Sequence, residues 1–494
     1  MKNPPFLRPI MFVGTGSDVG KSIINTAFCR IFKQDGYLPA PFKAQNMSLN
    51  SYVTPDGLEM GRAQVAQAEA CCIPCQVEMN PVLVKPMSNT SAQVVVNGKP
   101  IGVQTAAEYF KNEGRDELFQ EVMKSFDALA QKFNPVVIEG AGSISEVNLR
   151  DKDITNMRVA VSTEADTYLI ADIDKGGVFG SVYGTLELLP KEERALVKGI
   201  IINKFRGDMS LFTEGRNIIE KLTGIPVVAV IPYFTDIQID EEDSVSLSLK
   251  HKKLSKDKVN VAVVLLHYMS NFTDFNALEL VPEINLFYTH EAADLLAADI
   301  VIIPGSKNTM GDLYELRKSG LAKAILETHQ KGKAVYGVCG GYQMMGAEIY
   351  DLHHVEGDIK SMPGLGILPV STTLSKKKVT LQRSFSFRGK KDHCEGYEIH
   401  MGQTRPAAAA NCSTVCEFED GTTDGCFIND KTWGTYVHGI FDNSSVVAEI
   451  VAAVSEIKMQ EFDVVTFKEE QYDKLANTVR EHTDMETIYA SLKL

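Results

Sequence analysis

The sequence contains no apolar run of about 18 residues, the length that a membrane-crossing helix needs. Its opening residues, MKNPPFLRPI, also lack the basic region, apolar stretch and small-residue cleavage site of a secretory signal. Cysteine is sparse, and its count of 9 is odd. This usage does not favour a disulfide framework. We therefore expect a soluble, cytoplasmic protein with reduced thiols.

Basic residues are fewer than acidic ones: the chain has 50 Lys and Arg and 64 Asp and Glu, which gives a formal net charge of -14. This balance argues against a surface that binds nucleic acid, although it leaves room for a local basic pocket that holds phosphates. The chain has no low-complexity tract, and its 44% hydrophobic content is typical of globular proteins, which excludes disorder. Its 494 residues exceed what one core usually organises, so we expect two domains.

Apolar, β-rich runs alternate with helix-like segments along the first half, as in PIMFVG, PVVIEGAG, TYLIADID and PVVAVIP. A polar, charge-mixed stretch follows, and a second series of the same kind opens at VNVAVVLLHY. This pattern predicts an α/β protein of two domains, each a mostly parallel sheet flanked by helices. We predict a first domain over 1–236, a linker over 237–258, a second domain over 259–447 and a helical appendage over 448–494.

A glycine-rich loop, GTGSDVGKS, follows the first predicted strand and opens a helix. Gly14, Gly16 and Gly20 leave backbone N–H groups free to surround a phosphate, Lys21 supplies a positive charge, and the Ser22 hydroxyl can ligate Mg²⁺. The strict pattern G-x-x-x-x-G-K-[ST] places its first glycine where this chain has Thr15, so the loop is one residue longer. Its spacing resembles the dethiobiotin-synthetase branch of P-loop proteins. We predict an ATP site.

Two further polar residues end strands that lie near this loop in a parallel sheet. Glu139 follows PVVI and is a candidate second metal ligand, although a carboxylate that only caps a turn is an open alternative. Asn203 follows GIII and can pair with an adenine edge, while an ordinary loop asparagine fits the sequence nearly as well.

A thiol lies at a predicted strand-to-helix turn in the second domain. The sequence KAVYGVCGGYQMMG places Cys339 between small residues, the form of a nucleophile elbow with Cys in place of Ser. His438, in TWGTYVHGIFD, also follows a strand and is the candidate base. The backbone N–H groups of Gly305, in VIIPGSKNT, and Gly340 are candidates for an oxyanion hole.

Ordered blocks along nearly the whole chain resemble the cobyric acid synthase family. They include PFKAQNMSLNS, RAQVAQAEA, EGAGS, ADIDKGGVFG, INKFRGD, SNFTDF, PGSKNT, GVCGGYQM, GYEIHMG and YVHGIFD. The resemblance implies a dethiobiotin-synthetase-like ATP domain followed by a glutaminase domain of the triad amidotransferase class. It implies that Cys339 is the nucleophile and His438 its partner, and that Lys21 and Ser22 contact the nucleotide.

The resemblance adds one residue and leaves one position open. Lys43, in PFKAQNMS, takes the place of a lysine near phosphate and substrate carboxylate, whereas the sequence alone indicates a surface lysine. Amidotransferases of this class often carry Glu two residues after the histidine, but here Ile440 occupies that position. Asp442 is nearby, and the third triad residue stays open.

The expected function is ATP-dependent amidation of the b, d, e and g carboxylates of adenosylcobyrinic a,c-diamide, with ammonia from glutamine and with Mg²⁺. The expected partners are therefore small molecules: ATP, glutamine and a corrinoid. One alternative is the sister synthase that amidates the a and c carboxylates. Another is a P-loop ATPase switch that binds partner proteins and carries a degenerate glutaminase domain.

Overall fold

The computed structural model describes residues 5–88, 90–109, 114–240, 254–357, 359–390, 392–407, 412–460 and 462–493. Much of the predicted linker, 237–258, lies outside these residues, and the predicted domain boundaries stay a prediction.

The chain before residue 241 folds around a central sheet. Its strands are β1 (Ile10–Gly14), β2 (Ala40–Phe42), β3 (Gln45–Met47), β4 (Ser51–Val53), β5 (Glu59–Gly61), β6 (Val82–Pro86), β7 (Ser91–Val96), β8 (Lys99–Thr105), β9 (Val136–Glu139), β10 (Asp166–Asp172), β11 (Val197–Phe205) and β12 (Val227–Pro232). Its helices are α1 (Lys21–Gln34), α2 (Arg62–Ala70), α3 (Ala106–Tyr109), α4 (Arg115–Ala130), α5 (Met157–Thr163), α6 (Val178–Glu187), α7 (Lys191–Leu196) and α8 (Thr213–Thr223).

The first central sheet has the strand order β12-β11-β10-β1-β9-β2, and every neighbouring pair is parallel. β1, β9 and β10 are buried along their whole length, because each is covered on both faces. The carboxyl ends of parallel strands meet at one edge of a sheet. The residues after β1, β2, β9 and β11 therefore come together there.

The chain after residue 253 forms a second unit of the same class. Its strands are β13 (Val259–Val264), β14 (Met269–Ser270), β15 (Ile284–Thr289), β16 (Ile300–Ile303), β17 (Gly305–Ser306), β18 (Ala334–Val338), β19 (Glu348–Tyr350), β20 (Ser361–Pro363), β21 (Val370–Phe387), β22 (Cys394–Pro406), β23 (Cys416–Phe418), β24 (Thr423–Asp424), β25 (Cys426–Asn429), β26 (Thr432–Thr435) and β27 (Val437–His438). Its helices are α9 (Asn276–Glu279), α10 (Ala292–Ala297), α11 (Thr309–Lys318), α12 (Leu321–Gln330), α13 (Gly340–Met345), α14 (Ser444–Ala452), α15 (Val464–Glu481) and α16 (Met485–Leu492).

The second central sheet has the order β15-β13-β16-β18-β26-β25, parallel except for the edge strand β25. The predicted α/β class, with two mostly parallel sheets, is thus confirmed. Two additions were not predicted: β6 pairs in parallel with β3 and continues into antiparallel β7 and β8, and the long antiparallel pair β21 and β22 joins β27. The turn Asn97-Gly98 between β7 and β8, where both residues have positive φ, is a local hairpin signal that the interpretation by alternating strands and helices passed over.

The two C-terminal helices return to the first unit. Tyr472 and Leu475 of α15 are buried in one core with Phe28 and Phe32 of α1. Arg30 fixes this contact through an ion pair of 2.7 Å with Asp473. Among the described residues, no helix combines the length and apolar character that crossing a bilayer requires.

Candidate active sites

The glycine-rich loop lies between β1 and α1, at the carboxyl edge of the first sheet. Lys21 is buried, and its ammonium donates hydrogen bonds of 2.9 Å to the carbonyl oxygens of Gly16 and Gly142. These bonds hold the lysine across the mouth of the loop. A phosphate bound there would meet a positive charge whose position is already set.

Glu139 is the centre of a buried polar cluster beside the loop. Its Oε1 accepts hydrogen bonds from the Ser22 hydroxyl at 2.7 Å and from the Lys43 ammonium at 2.9 Å. Its Oε2 accepts one from the Gln67 side-chain amide at 2.6 Å. Ser22, Lys43 and Glu139, which come from three distant parts of the sequence, therefore meet at one point. The buried position of Lys43 differs from the surface position that the sequence alone indicates.

The donor set at this point fits a magnesium ion that is held mainly by phosphates. Ser22 and Glu139 offer only oxygen ligands, which Mg²⁺ prefers. In proteins, Mg²⁺ typically binds to one or two carboxylates and to substrate phosphates. Among the residues that the structure describes, no group of three or more His, Cys, Asp and Glu side chains could hold a metal ion. A site completed by nucleotide oxygens agrees with both observations.

Asn203 contacts the backbone of the glycine-rich loop. Its side-chain amide donates to the Val19 carbonyl at 2.8 Å, while its Oδ1 is buried and has no partner among the described residues. Gly20 adopts a φ of 96°, and a β-carbon there would approach the Asn203 Nδ2 to 2.2 Å. Glycine is therefore required at this position for two reasons. The predicted contact of Asn203 with an adenine edge stays a prediction.

A cavity of about 1370 Å³ opens at this edge of the sheet. Lys21, Ser22, Lys43 and Glu139 line one part of it. Three arginines also line it: Arg115, Arg150 and Arg158. Acidic side chains lie among them, and Arg158 pairs with Asp116 at 2.8 Å, so the lining carries charge of both signs.

Cys339 lies at the turn between β18 and α13, with φ 50° and ψ -106°. A non-glycine residue rarely adopts this conformation, which is strained and is found at functional sites. Close packing leaves no room for side chains beside it, since a β-carbon at Gly341 would meet the Ile303 carbonyl oxygen at 1.9 Å. Cys339 as a residue is 7% exposed, and its thiol lies 3.8 Å from the Ile399 carbonyl oxygen.

His438 connects the thiol to a carboxylate. Its Nδ1 donates to Asp274 Oδ2 at 2.7 Å, and the imidazole lies close enough to Cys339 for the two groups to interact electrostatically. Asp274 also accepts the Gly439 backbone N–H at 3.0 Å through its other oxygen. Both His438 and Asp274 are buried. This is the geometry of a nucleophile, base and orienting carboxylate.

The pKa of His438 reflects this arrangement. Burial alone would lower the pKa, but the negative charges and hydrogen bonds of Asp274 and Cys339 outweigh it and raise the pKa from 6.5 to about 10. The imidazole is therefore held protonated near neutral pH, beside the thiol.

Asp274→Asn should lower the pKa of His438 and flatten the dependence of stability on pH. In the wild type the stabilisation is fully present below the unfolded-state pKa of 6.5 and is lost as the pH rises toward 10, because the folded protein keeps a proton that the unfolded chain releases. The free energy of unfolding should fall by up to about 1.4 kcal/mol per pH unit in this window. Urea unfolding at several pH values between these limits measures the slope. Asp299→Asn is the matched control, because it alters a carboxylate of the same unit that accepts the Asn260 backbone N–H at 2.9 Å. Parallel slopes for wild type and Asp274→Asn would contradict the assignment.

The two predicted oxyanion glycines lie on either side of the thiol and imidazole. A β-carbon at Gly305 would come within 3.4 Å of His438 Cε1, and one at Gly340 within 2.7 Å of the Ser306 backbone nitrogen. The structure thus brings Cys339, His438, Gly305 and Gly340 together. Their catalytic roles stay predictions.

The sequence did not predict three residues of these sites: Asp274, Gln67 and Tyr397, whose ring stacks on His438. The predicted position of a third triad residue followed His438, whereas the structure pairs the imidazole with Asp274, not Asp442. Asp274 lies 164 residues before the histidine. The block SNFTDF, which contains Asp274, was the available signal.

Known protein families match each half of the chain. Residues 10–247 match the CobQ/CobB/MinD/ParA nucleotide binding domain, and residues 260–446 match the CobB/CobQ-like glutamine amidotransferase domain. The cobyric acid synthase of Parabacteroides distasonis is 57% identical over 99% of this chain and 99% of its own length. That of Bacteroides fragilis is 57% identical over 98% of each chain, and that of Syntrophobacter fumaroxidans is 44% identical over 97% of this chain and 98% of its own. The chain therefore belongs to the cobyric acid synthase family, the ATP-binding, glutamine-dependent amidotransferase ligases of cobalamin biosynthesis.

Proposed function

We propose that this enzyme amidates the b, d, e and g carboxylates of adenosylcobyrinic a,c-diamide, with ammonia that Cys339 releases from glutamine. The observation that supports the proposal is the presence of two candidate sites in one chain. One joins a phosphate loop to a buried carboxylate and lysine, and the other joins a strained thiol to an imidazole and carboxylate.

Glutamine hydrolysis begins with attack of the Cys339 thiolate on the side-chain amide carbon of glutamine. The backbone N–H groups of Gly305 and Gly340 stabilise the oxyanion that forms. The C–N bond then breaks as His438 transfers its proton to the leaving nitrogen, and ammonia departs. Water, deprotonated by His438, hydrolyses the thioester and releases glutamate. Asp274 keeps the imidazole oriented throughout.

Amidation in the first domain begins when an oxygen of the substrate carboxylate attacks the γ-phosphorus of ATP and displaces ADP. The resulting acyl phosphate is attacked by ammonia, which forms the amide and releases phosphate. Lys21 holds the β- and γ-phosphates, and Lys43, which lines the same cavity, binds the transferred phosphoryl group and the substrate carboxylate in this proposal. Ser22 and Glu139 would hold Mg²⁺, which neutralises phosphate charge when it is bound.

The large cavity supports a bulky second substrate beside ATP. Its volume of about 1370 Å³ exceeds the roughly 300–1,000 Å³ of a site for one small ligand. Arg115, Arg150 and Arg158 are among the residues of mixed charge that line it. Arginine side chains can bind the carboxylates of such a substrate.

A direct assay tests the proposal. The protein is incubated with ATP, Mg²⁺, glutamine and either cobyrinic acid or its a,c-diamide, and products are separated by mass. We expect the a,c-diamide to gain four amide groups and the reaction to form glutamate and ADP. Consumption of cobyrinic acid with no reaction of the a,c-diamide would indicate the sister synthase. Absence of glutamate formation would indicate a binding module.

A further inference from the structure

A hairpin of the ATP-binding unit, formed by β4 and β5, docks on the long antiparallel pair of the glutaminase unit. The Thr380 hydroxyl donates to the Gly57 carbonyl at 2.7 Å, and the Gln382 side-chain amide donates to the Val53 carbonyl. Val53 also packs in one small core with Tyr397 and Ile399 of β22. The hairpin therefore contacts the glutaminase unit through both its backbone and its side chains.

Buried charges fix the base of this hairpin. Glu59 is completely buried and forms ion pairs with Lys85, at 2.7 Å, and with Lys378 of the glutaminase unit. Lys85 also donates to the Ser51 hydroxyl at 2.8 Å. Burial opposes ionisation of Glu59, but the two lysines outweigh it and lower its pKa. Loss of Glu59 would leave two buried lysines without a carboxylate, so the docked position is strongly specified.

Both ends of the hairpin lead into the ATP cavity. The chain enters the hairpin from β3, whose residues Asn46 and Met47 line the cavity. After the hairpin, the chain continues into α2, which contributes Ala63 and Ala66 to the cavity lining and Gln67 to the Glu139 cluster. A shift of the cavity wall on substrate binding would therefore reach the hairpin directly through covalent connections.

The other side of the hairpin reaches the glutaminase triad through three hydrogen bonds. The Ser51 backbone N–H donates to Asn271 Oδ1 at 3.1 Å, the Asn271 amide donates to the Tyr397 hydroxyl at 3.2 Å, and that hydroxyl donates to the Ser51 carbonyl at 3.2 Å. We name this set the Ser51 triangle.

Residues of the Ser51 triangle lie next to both triad partners of Cys339, His438 and Asp274. The Tyr397 ring stacks on His438, with ring centres 5.3 Å apart and an angle of 21° between the planes. Asn271 directly precedes the short 3₁₀ turn that carries Asp274. A displacement of Ser51 would thus move the groups that hold the imidazole and its carboxylate. A shift of about 1 Å in such a group is enough to reduce turnover strongly.

We propose that Tyr397 and Asn271 are positioning residues through which the ATP-binding unit sets the glutaminase triad, so that glutamine hydrolysis responds to occupancy of the ATP cavity. The inference rests on the proposed function of Cys339 and adds the connection between its two sites. Such coupling avoids release of ammonia when no acceptor is present. Coupling free energies between sites typically correspond to about 5- to 150-fold changes.

Tyr397→Phe in the full chain tests this, because it removes the hydroxyl and keeps the ring on His438. Glutamate formation is measured with and without ATP and cobyrinic a,c-diamide, and amidation is measured separately with ammonium chloride. In the wild type, the two ligands together should stimulate glutamate formation, by about 5- to 150-fold. In Tyr397→Phe that ratio should fall toward one, while ammonium-dependent amidation should stay at the wild-type rate.

Two further variants make the result decisive. Tyr336→Phe is the matched control, since it removes a hydroxyl that donates to the Asp430 carbonyl at 2.8 Å inside the glutaminase unit. Asn271→Gly removes the other side chain of the triangle and retains the left-handed backbone, which has a φ of 52°. Unstimulated wild type, or wild-type stimulation in both triangle variants, would overturn the inference. If glutamate formation survives in Cys339→Ala, the proposed function itself is wrong.

Discussion

Cys339→Ala should abolish glutamine-dependent amidation and leave ammonium-dependent amidation intact. Without the sulfur no thioester can form, and no described side chain beside His438 offers an equivalent nucleophile. The rate of glutamate formation should fall by about 10³-fold or more. The ATP cavity lies in the other unit and keeps its own groups, so externally supplied ammonia should still capture the acyl phosphate.

The measurement compares amide formation with glutamine and with ammonium chloride in the same preparation. Cys394→Ala is the matched control, because Cys394 is a fully buried thiol of the same unit that lies against the Ser445 hydroxyl. It should retain both activities. Full glutamine-dependent activity in Cys339→Ala would contradict the assignment of the nucleophile, and loss of both activities would indicate a folding defect.

Glu139→Gln should give the complementary result. It should reduce amidation with glutamine and with ammonium alike, by about 10²- to 10³-fold, the equivalent of about 3–4 kcal/mol of transition-state stabilisation. The neutral amide loses the charge that pairs with Lys43 at 2.9 Å, and an amide nitrogen in place of one oxygen would face a donor, since Ser22, Lys43 and Gln67 all donate to the carboxylate. Basal glutamate formation should persist, because Cys339 lies in the other unit.

Amidation with ammonium and ADP formation with saturating ATP measure the effect of Glu139→Gln. Glu121→Gln, which alters a carboxylate of α4 that pairs with Lys124 at 2.6 Å on the protein surface, should leave both rates unchanged. An unimpaired rate in Glu139→Gln would mean that Glu139 only caps a turn. Thermal unfolding of each variant separates a catalytic loss from a loss of fold, since an uncompensated buried Lys43 would itself be destabilising.

Much of this protein could be predicted from short segments. The fold class follows from apolar strands that alternate with helices, and it is confirmed. The glycine-rich loop and the turn at Cys339 are local features, because a few consecutive residues determine whether a strand can turn sharply into a helix. The family followed from many ordered blocks and is confirmed by relatives that match nearly the full length.

The docked position of the hairpin was not predictable in the same way. Ser51 and Tyr397 meet although 346 residues separate them. Their meeting depends on the register of β21 with β22 and on how the two units pack, and neither is visible in a short segment. The buried position of Lys43 has the same origin, since Glu139 supplies its partner from another strand.

The sequence by itself determined the two chemistries, phosphate binding at Lys21 and thiol chemistry at Cys339, because each depends on residues that are adjacent in the chain. Only the tertiary structure decided which groups complete them. Asp274 reaches His438, and Lys43 and Gln67 reach Glu139, because separate strands and turns converge in space. A carboxylate orients an imidazole by distance and direction, and sequence spacing specifies neither until the chain has folded.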